Sequence, residues 1–132
     1  MDAVEREATL RAGIELFDSG RYLAAHELFE ELWEATEGGE ADFFKGLIQA
    51  AVALHHFQAG NLAGAAKLYS GHRRFLSPYQ PIHAGLDIAH FLREMQAFLR
   101  PVLEKREGDS VPFPSEGRPR LVPLEKSETG AG

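Results

Sequence analysis

Apolar residues recur along this chain at the spacing of an α-helix. Leu10, Gly13, Ile14 and Phe17 fall at i, i+3, i+4 and i+7, which gives a first helix one continuous apolar stripe. Asp2 is placed to cap its start. Gly20 stands where a left-handed C-terminal residue is commonly needed. The same spacing predicts a second helix from about Arg21 to Thr36, stopped by Gly38-Gly39. A third, from about Ala41 to Ala59, carries Phe43, Phe44, Leu47, Ile48, Val52, Leu54 and Phe57 on most of its sides, as expected of a central helix surrounded by others. Gly60 ends it, and Asn61 caps a fourth helix running to about Leu76. Ser77-Pro78-Tyr79-Gln80-Pro81 reads as a loop, because each proline pushes its predecessor out of the α region. Asp87 then caps a fifth helix with Ile88, Phe91, Leu92, Met95, Phe98, Leu99 and Val102 on its apolar face. Pro101 should kink or end it.

A shift of 40 residues brings the chain into register with itself. It places Phe17 on Phe57, Gly20 on Gly60, Tyr22 on Leu62, Ala25 on Ala65, Leu28 on Leu68 and Phe29 on Tyr69. The glycine makes a turn, the alanine lets two helices approach, and the large residues fill the space between them. The pattern resembles the helix-turn-helix unit of tetratricopeptide (TPR) repeats, although their usual period is shorter. The fold class expected is therefore all-α, a five-helix antiparallel bundle of TPR-like hairpins. From Gly108 on, proline, glycine and charge dominate and no period survives. This predicts a helical domain over residues 1–107 and a mostly disordered, flexible tail over 108–132. Within that tail, Leu121-Val122-Pro123-Leu124 is suited to dock as an extended piece.

Composition narrows the classes of function. The chain has 132 residues, 44% of them apolar, and a net charge of −6, which suits one soluble domain and argues against a general nucleic-acid binder. The charge is uneven: residues 1–45 hold 12 acidic and 4 basic side chains, and the rest hold 8 and 10. No acidic residue lies between Asp42 and Asp87, while Lys67, Arg73 and Arg74 fall in that gap. The absence of cysteine excludes disulfides, thiolate nucleophiles and Cys-based zinc sites. The N-terminus is charged where a signal peptide is apolar, and Leu47 to Leu54 is too short to span a bilayer. A cytoplasmic protein with no membrane partner is the expectation.

The chemistry concentrates on the second helix. At about 100° per residue, His26, Glu30 and Trp33 share one narrow stripe. Tyr22, Ala25, Phe29 and Leu32 lie to one side of it, and Glu27, Glu31 and Glu34 to the other. On the third helix, Lys45, Gln49 and His56 fall within about 40° of one another by the same arithmetic. His55 points away from them. Consecutive antiparallel helices normally pack together, so the stripes should face each other and enclose a polar-aromatic groove of Tyr22, His26, Glu27, Glu30, Trp33, Gln49 and His56. Ionisable groups placed there cost free energy unless they are paired.

Phe17-x-x-Gly20-x-Tyr22-x-x-Ala25-His26-Glu27-x-x-Glu30-x-x-Trp33, then Gly46-Leu47-Ile48-Gln49-x-Ala51, His56 and Gly60-Asn61-x-x-Gly64-Ala65, together resemble the prokaryotic domain of unknown function 309 family. Gly85-Leu86-Asp87 also fits its pattern. The resemblance covers roughly residues 8–100 and implies a small helical domain without an established activity.

Three readings of the groove follow. In the first it is a binding or interaction surface for a small molecule, a peptide or another protein, with Trp33 and Tyr22 for flat apolar contact and His26, His56 and Glu30 for hydrogen bonds. In the second, His26 and Glu30 at i, i+4 join His56 around a divalent metal, by the ligand logic of helical carboxylate bundles, which would admit a metal-assisted hydrolase. The motif lacks the second histidine of the zincins, however. In the third, the polar groups bond one another and fix the helix register. No nucleophile, phosphate loop or oxyanion-hole motif supports catalysis, and no organic cofactor is implied. His72, beside Arg73 and Arg74, should be solvated, and His83 and His90 structural or exposed. An exposed Phe91–Phe98 face would supply a homodimer interface.

Overall fold

The computed structural model describes residues 1–121, 123 and 124. Helix α1 spans Ala3–Asp18 and α2 spans Tyr22–Glu34; α3 runs over Glu40–Gln58 and α4 over Leu62–Leu76. The Asp2 carboxylate accepts the Glu5 N–H at 2.8 Å. That bond holds its pKa below the usual carboxylate range and satisfies one of the amides left over at the helix start.

The two turns expected to repeat are the same turn. Gly20 and Gly60 both have φ +84°, a conformation costly for any residue with a Cβ. The Gly20 N–H donates to the Phe17 carbonyl and the Arg21 N–H to Leu16; forty residues on, Gly60 donates to Phe57 and Asn61 to His56. This is the Schellman arrangement, which uses the last free carbonyls of each helix. Beyond the turns, Phe17, Ala25 and Phe29 are buried, and so are Phe57, Ala65 and Tyr69.

Helices α1 to α4 pack as consecutive antiparallel neighbours, with α3 in the middle. Phe43, Leu47, Ala50, Ala51, Ala53 and Leu54 of α3 are fully buried. Close approach to α4 depends on Gly46, where a Cβ would stand 2.6 Å from two side-chain carbons of Leu76. Helix α2 ends at Glu34, two residues before the expected Thr36. The last turn there is closed by side chains: Thr36 Oγ1 donates to the Leu32 carbonyl at 2.6 Å, and the Arg6 guanidinium bonds both Thr36 Oγ1 and the Ala35 carbonyl.

A 3₁₀ turn at Ser77–Tyr79 leads into a small hairpin that helical periodicity could not show. Its strands are β1, Ile82–His83, and β2, Leu86–Asp87. The two turn residues, Ala84 (φ 52°) and Gly85 (φ 73°), are both left-handed, as a tight hairpin requires. Asp87 then caps α5, Ile88–Leu103, by accepting the His90 N–H at 2.9 Å. Helix α5 runs two residues past Pro101. The proline sits in the last turn, where it removes one hydrogen bond, to the carbonyl of Ala97, and both residues are exposed to water. Helix α5 packs chiefly against α4 and reaches α1 and α3 through ring contacts Phe17–Phe91 and Phe57–Phe98, each with centroids 5.6 Å apart.

The segment after α5 refines the tail expectation. An extended piece docks, as anticipated around Leu121, but packing begins ten residues earlier, at Val111 and Phe113. The Phe113 ring meets Tyr22, Phe57 and Phe98 edge-on at 6.5, 5.1 and 5.3 Å. Leu121 is buried and its N–H donates to Asp18 at 2.7 Å. The Leu124 N–H reaches the Gly85 carbonyl. The disorder expected from Gly108 therefore does not describe residues 111–121, because isolated apolar anchors leave no period to read. For Val122 and 125–132 that expectation lies outside the described residues. The exposed Phe91–Phe98 face is also corrected: both rings are buried, beneath α1, α3 and Phe113.

Candidate functional site

Helix α2 places His26, Glu30 and Trp33 on one edge, and α3 and α4 supply the facing wall. The result is a groove of about 250 Å³ bounded by His26, Glu30, Trp33, Lys45, Ile48, Gln49 and Leu68. His26 Nε2 and Glu30 Oε2 are 3.1 Å apart, with side chains 28% and 43% exposed. The pair is thus formed within α2 at i, i+4, and at this exposure it adds little stability. Trp33 is 36% exposed, more than a ring of its size normally shows in a packed helix pair.

Lys45 takes the place next to Trp33. Its ammonium lies 5.4 Å from the Trp33 ring and 5.8 Å from the Phe75 ring, within cation–π range of both. The residue is partly buried, and among the described residues no carboxylate lies within salt-bridge distance of its ammonium. Gln49 occupies space that Gly71 of α4 leaves empty; a Cβ on Gly71 would overlap the Gln49 amide oxygen. Ile48 and Leu68 supply the apolar part of the lining.

Four of the seven residues expected here do line the groove: His26, Glu30, Trp33 and Gln49. Tyr22, at the start of α2 and one turn before His26, does not line the groove. It is buried against Phe17, centroids 5.4 Å apart, and burial pushes its phenol up to about 12. Its hydroxyl finds no hydrogen-bond partner among the described residues. Glu27 is exposed and does not face the groove. His56 lies two turns further along α3 than Gln49, at the α3–α4 turn, where its Nδ1 is 3.3 Å from the Asn61 amide nitrogen. The trio His26, Glu30 and His56 is therefore not assembled. Among the described residues, no three His, Cys, Asp or Glu side chains are grouped to hold a metal ion.

Wheel arithmetic on α2 and α3 could not supply Leu68, which belongs to α4, although the 40-residue register pairs it with Leu28. Lys45 shares the α3 stripe with Gln49, and the structure adds it to the groove. His72 corrects another expectation. It is fully buried between Tyr69 and Phe91, its Nδ1 bonded to the Tyr69 carbonyl and its Nε2 without a partner among the described residues. Burial, the dominant cause, lowers its pKa to about 4. The neighbouring Arg73 and Arg74 point out to water while His72 points in. His83 meets Phe43 at a tilt and Tyr79 edge-on and bonds Glu40, and His90 is exposed beside Glu94 at 3.4 Å. No helix among the described residues is long and apolar enough to cross a membrane.

Comparison with known proteins agrees with the sequence motifs. An uncharacterized protein of Aquifex aeolicus is 29% identical over 106 residues, which is 79% of this chain and 31% of that protein. The uncharacterized protein YpuF of Bacillus subtilis is 33% identical over 87 residues, 64% of this chain and 50% of its own length. The chain thus spans half or less of the curated relatives it matches. Residues 10–68, which carry α2, α3 and every residue that lines the groove, match the family described as Domain of unknown function (DUF309).

Proposed function

We propose that this domain is a binding module whose groove across α2, α3 and α4 takes one apolar side chain of a polypeptide, with a carboxylate of the same segment set against Lys45. Lys45 carries the argument. A partly buried ammonium held between two rings, with no carboxylate beside it among the described residues, is completed by an anion from outside. The size of the groove supports a polypeptide. At about 250 Å³ it falls below the roughly 300–1,000 Å³ of small-molecule sites and suits a single anchoring side chain. Ile48, Leu68 and the Trp33 face give that anchor apolar contact, and His26 with Glu30 frames the far rim for backbone hydrogen bonds.

Trp33 is the chain's one tryptophan, so its fluorescence reports on this groove. Twelve-residue peptides displayed as a library should enrich on the wild-type chain for an apolar residue next to aspartate or glutamate. They should shift the Trp33 emission on binding and lose at least tenfold in affinity against Leu68→Lys. Equal enrichment on the Leu68→Lys chain, or binding without any change in Trp33 emission, would place recognition elsewhere.

A further inference from the structure

The second recess of interest lies where α2 begins and α3 ends, and it is already filled. Tyr22 at the start of α2, Phe57 at the end of α3 and Phe98 of α5 surround the ring of Phe113. Phe113 stands between Pro112 and Pro114, in a stretch with no regular secondary structure. Prolines hold such a stretch extended before it binds and so lower the entropy cost of docking. Further along, Pro119 and Leu121 are buried, while the intervening Ser115, Glu116, Gly117 and Arg118 are exposed. The segment from Val111 to Leu121 therefore touches the bundle as a docked peptide does, through separated anchors with solvated residues between them.

The connection to α5 is slender. Residues 104–110 are exposed except for Lys105, which is partly so. Their fold rests on a turn in which the Asp109 N–H donates to the Arg106 carbonyl at 3.0 Å and the Asp109 carboxylate accepts the Arg106 N–H at 2.9 Å. Gly108 holds φ +87° in that turn, a conformation that a β-branched residue would resist. Opening this turn would swing residues 111–121 away from their own bundle. It would leave Tyr22, Phe57 and Phe98 facing water, an apolar patch that demands a cover.

We infer that the Tyr22–Phe57–Phe98 recess is an extended-peptide groove occupied by the chain's own residues 111–121, and that its exchange partner is the same segment of a second copy. The copy fits because it offers the same anchors at the same spacing, Phe113 and Leu121, so exchange conserves every contact except those of the hinge turn. Such segment swapping is a low-cost route to a symmetric dimer. It places the dimer contact on the face that the α5 sequence marks as apolar, with the tail of the other chain as its cover. The recess is separate from the Lys45 groove and does not depend on the function proposed for it.

The test uses the full chain. A labelled peptide of residues 109–121 should bind the Phe113→Ala chain saturably in fluorescence anisotropy. It should bind wild type at least tenfold more weakly, because the resident segment competes. Failure of the peptide to bind a Phe113→Ala chain that keeps its helical circular dichroism would overturn the inference. If that variant loses its helical signal, the hinge decides. Gly108→Val should sediment as a dimer at concentrations where wild type is monomeric, and Gly108→Val with Phe113→Asp should not. A monomeric Gly108→Val chain, or a dimer that survives Phe113→Asp, contradicts exchange of this segment.

Discussion

Forty residues apart, Gly20 and Gly60 make the same turn with the same hydrogen bonds, yet α2 and α4 leave those turns with different chemistry. Where α2 carries His26, Glu30 and Trp33, the register puts Ala66, Ser70 and Arg73 in α4. Several core positions match in both hairpins, Phe17 with Phe57, Ala25 with Ala65 and Phe29 with Tyr69, and the border positions do not. One packing solution thus serves twice, while the groove forms between the two hairpins: the first supplies His26, Glu30 and Trp33, and the second Lys45, Ile48, Gln49 and Leu68. The exception inside the core is instructive. Leu32 and His72 occupy equivalent positions and both are fully buried, so the second hairpin holds a titratable ring where the first holds a hydrocarbon.

That exception gives the largest expected effect. His72 stays neutral in the folded chain down to about pH 4, against an ordinary value of 6.5. Above about 6.5 its contribution is intact. As the pH falls from there toward 4, the unfolded chain takes up a proton that the folded one refuses, and stability drops by up to about 3 kcal/mol. His72→Leu, which copies the first hairpin, should flatten that part of the stability–pH curve in urea titrations. It should leave stability at pH 7 nearly unchanged or raised, since an unpaired Nε2 is removed. A curve of unchanged slope would show that another group controls acid sensitivity.

The reverse copy should break the first hairpin. Gly13 corresponds to Ala53 in the register, but a Cβ on Gly13 would stand 2.6 Å from the Phe29 ring. Gly13→Ala should therefore cost about 1–3 kcal/mol despite the better helix propensity of alanine. A gain in melting temperature would mean that Phe29 has room to move. The smallest effect concerns the caps. Asn61 accepts the Gly64 N–H at 3.0 Å, whereas Arg21 makes no side-chain cap. Asn61→Ala should lose about 1 kcal/mol and Arg21→Asn should gain somewhat less. Equal, negligible shifts in the two would erase this distinction between the turns.

The helices, their caps at Asp2, Asn61 and Asp87, and both glycine turns were legible because each is written in local spacing. The groove was half legible. A helical wheel places residues on a face but does not say how far along the axis a partner lies, so His56 was assigned to a groove that ends a turn and more before it. Tyr22 likewise lies a turn before the groove, where it packs against Phe17. Neighbours in sequence point to different sides of a helix, so the charges of Arg73 and Arg74 do not show where His72 points. The docked segment was hidden for a different reason: Phe113 and Leu121 act as single anchors, and single anchors have no period.

The charge on Lys45 offers the most direct test of the groove as a site for an acidic, apolar segment. A peptide selected on the wild-type chain and a copy with its acidic residue replaced by lysine can each be titrated against wild type and Lys45→Glu, followed by Trp33 emission. The account predicts a crossed result, in which each chain prefers the peptide of opposite charge by tenfold or more. Equal affinities in all four pairings would contradict it.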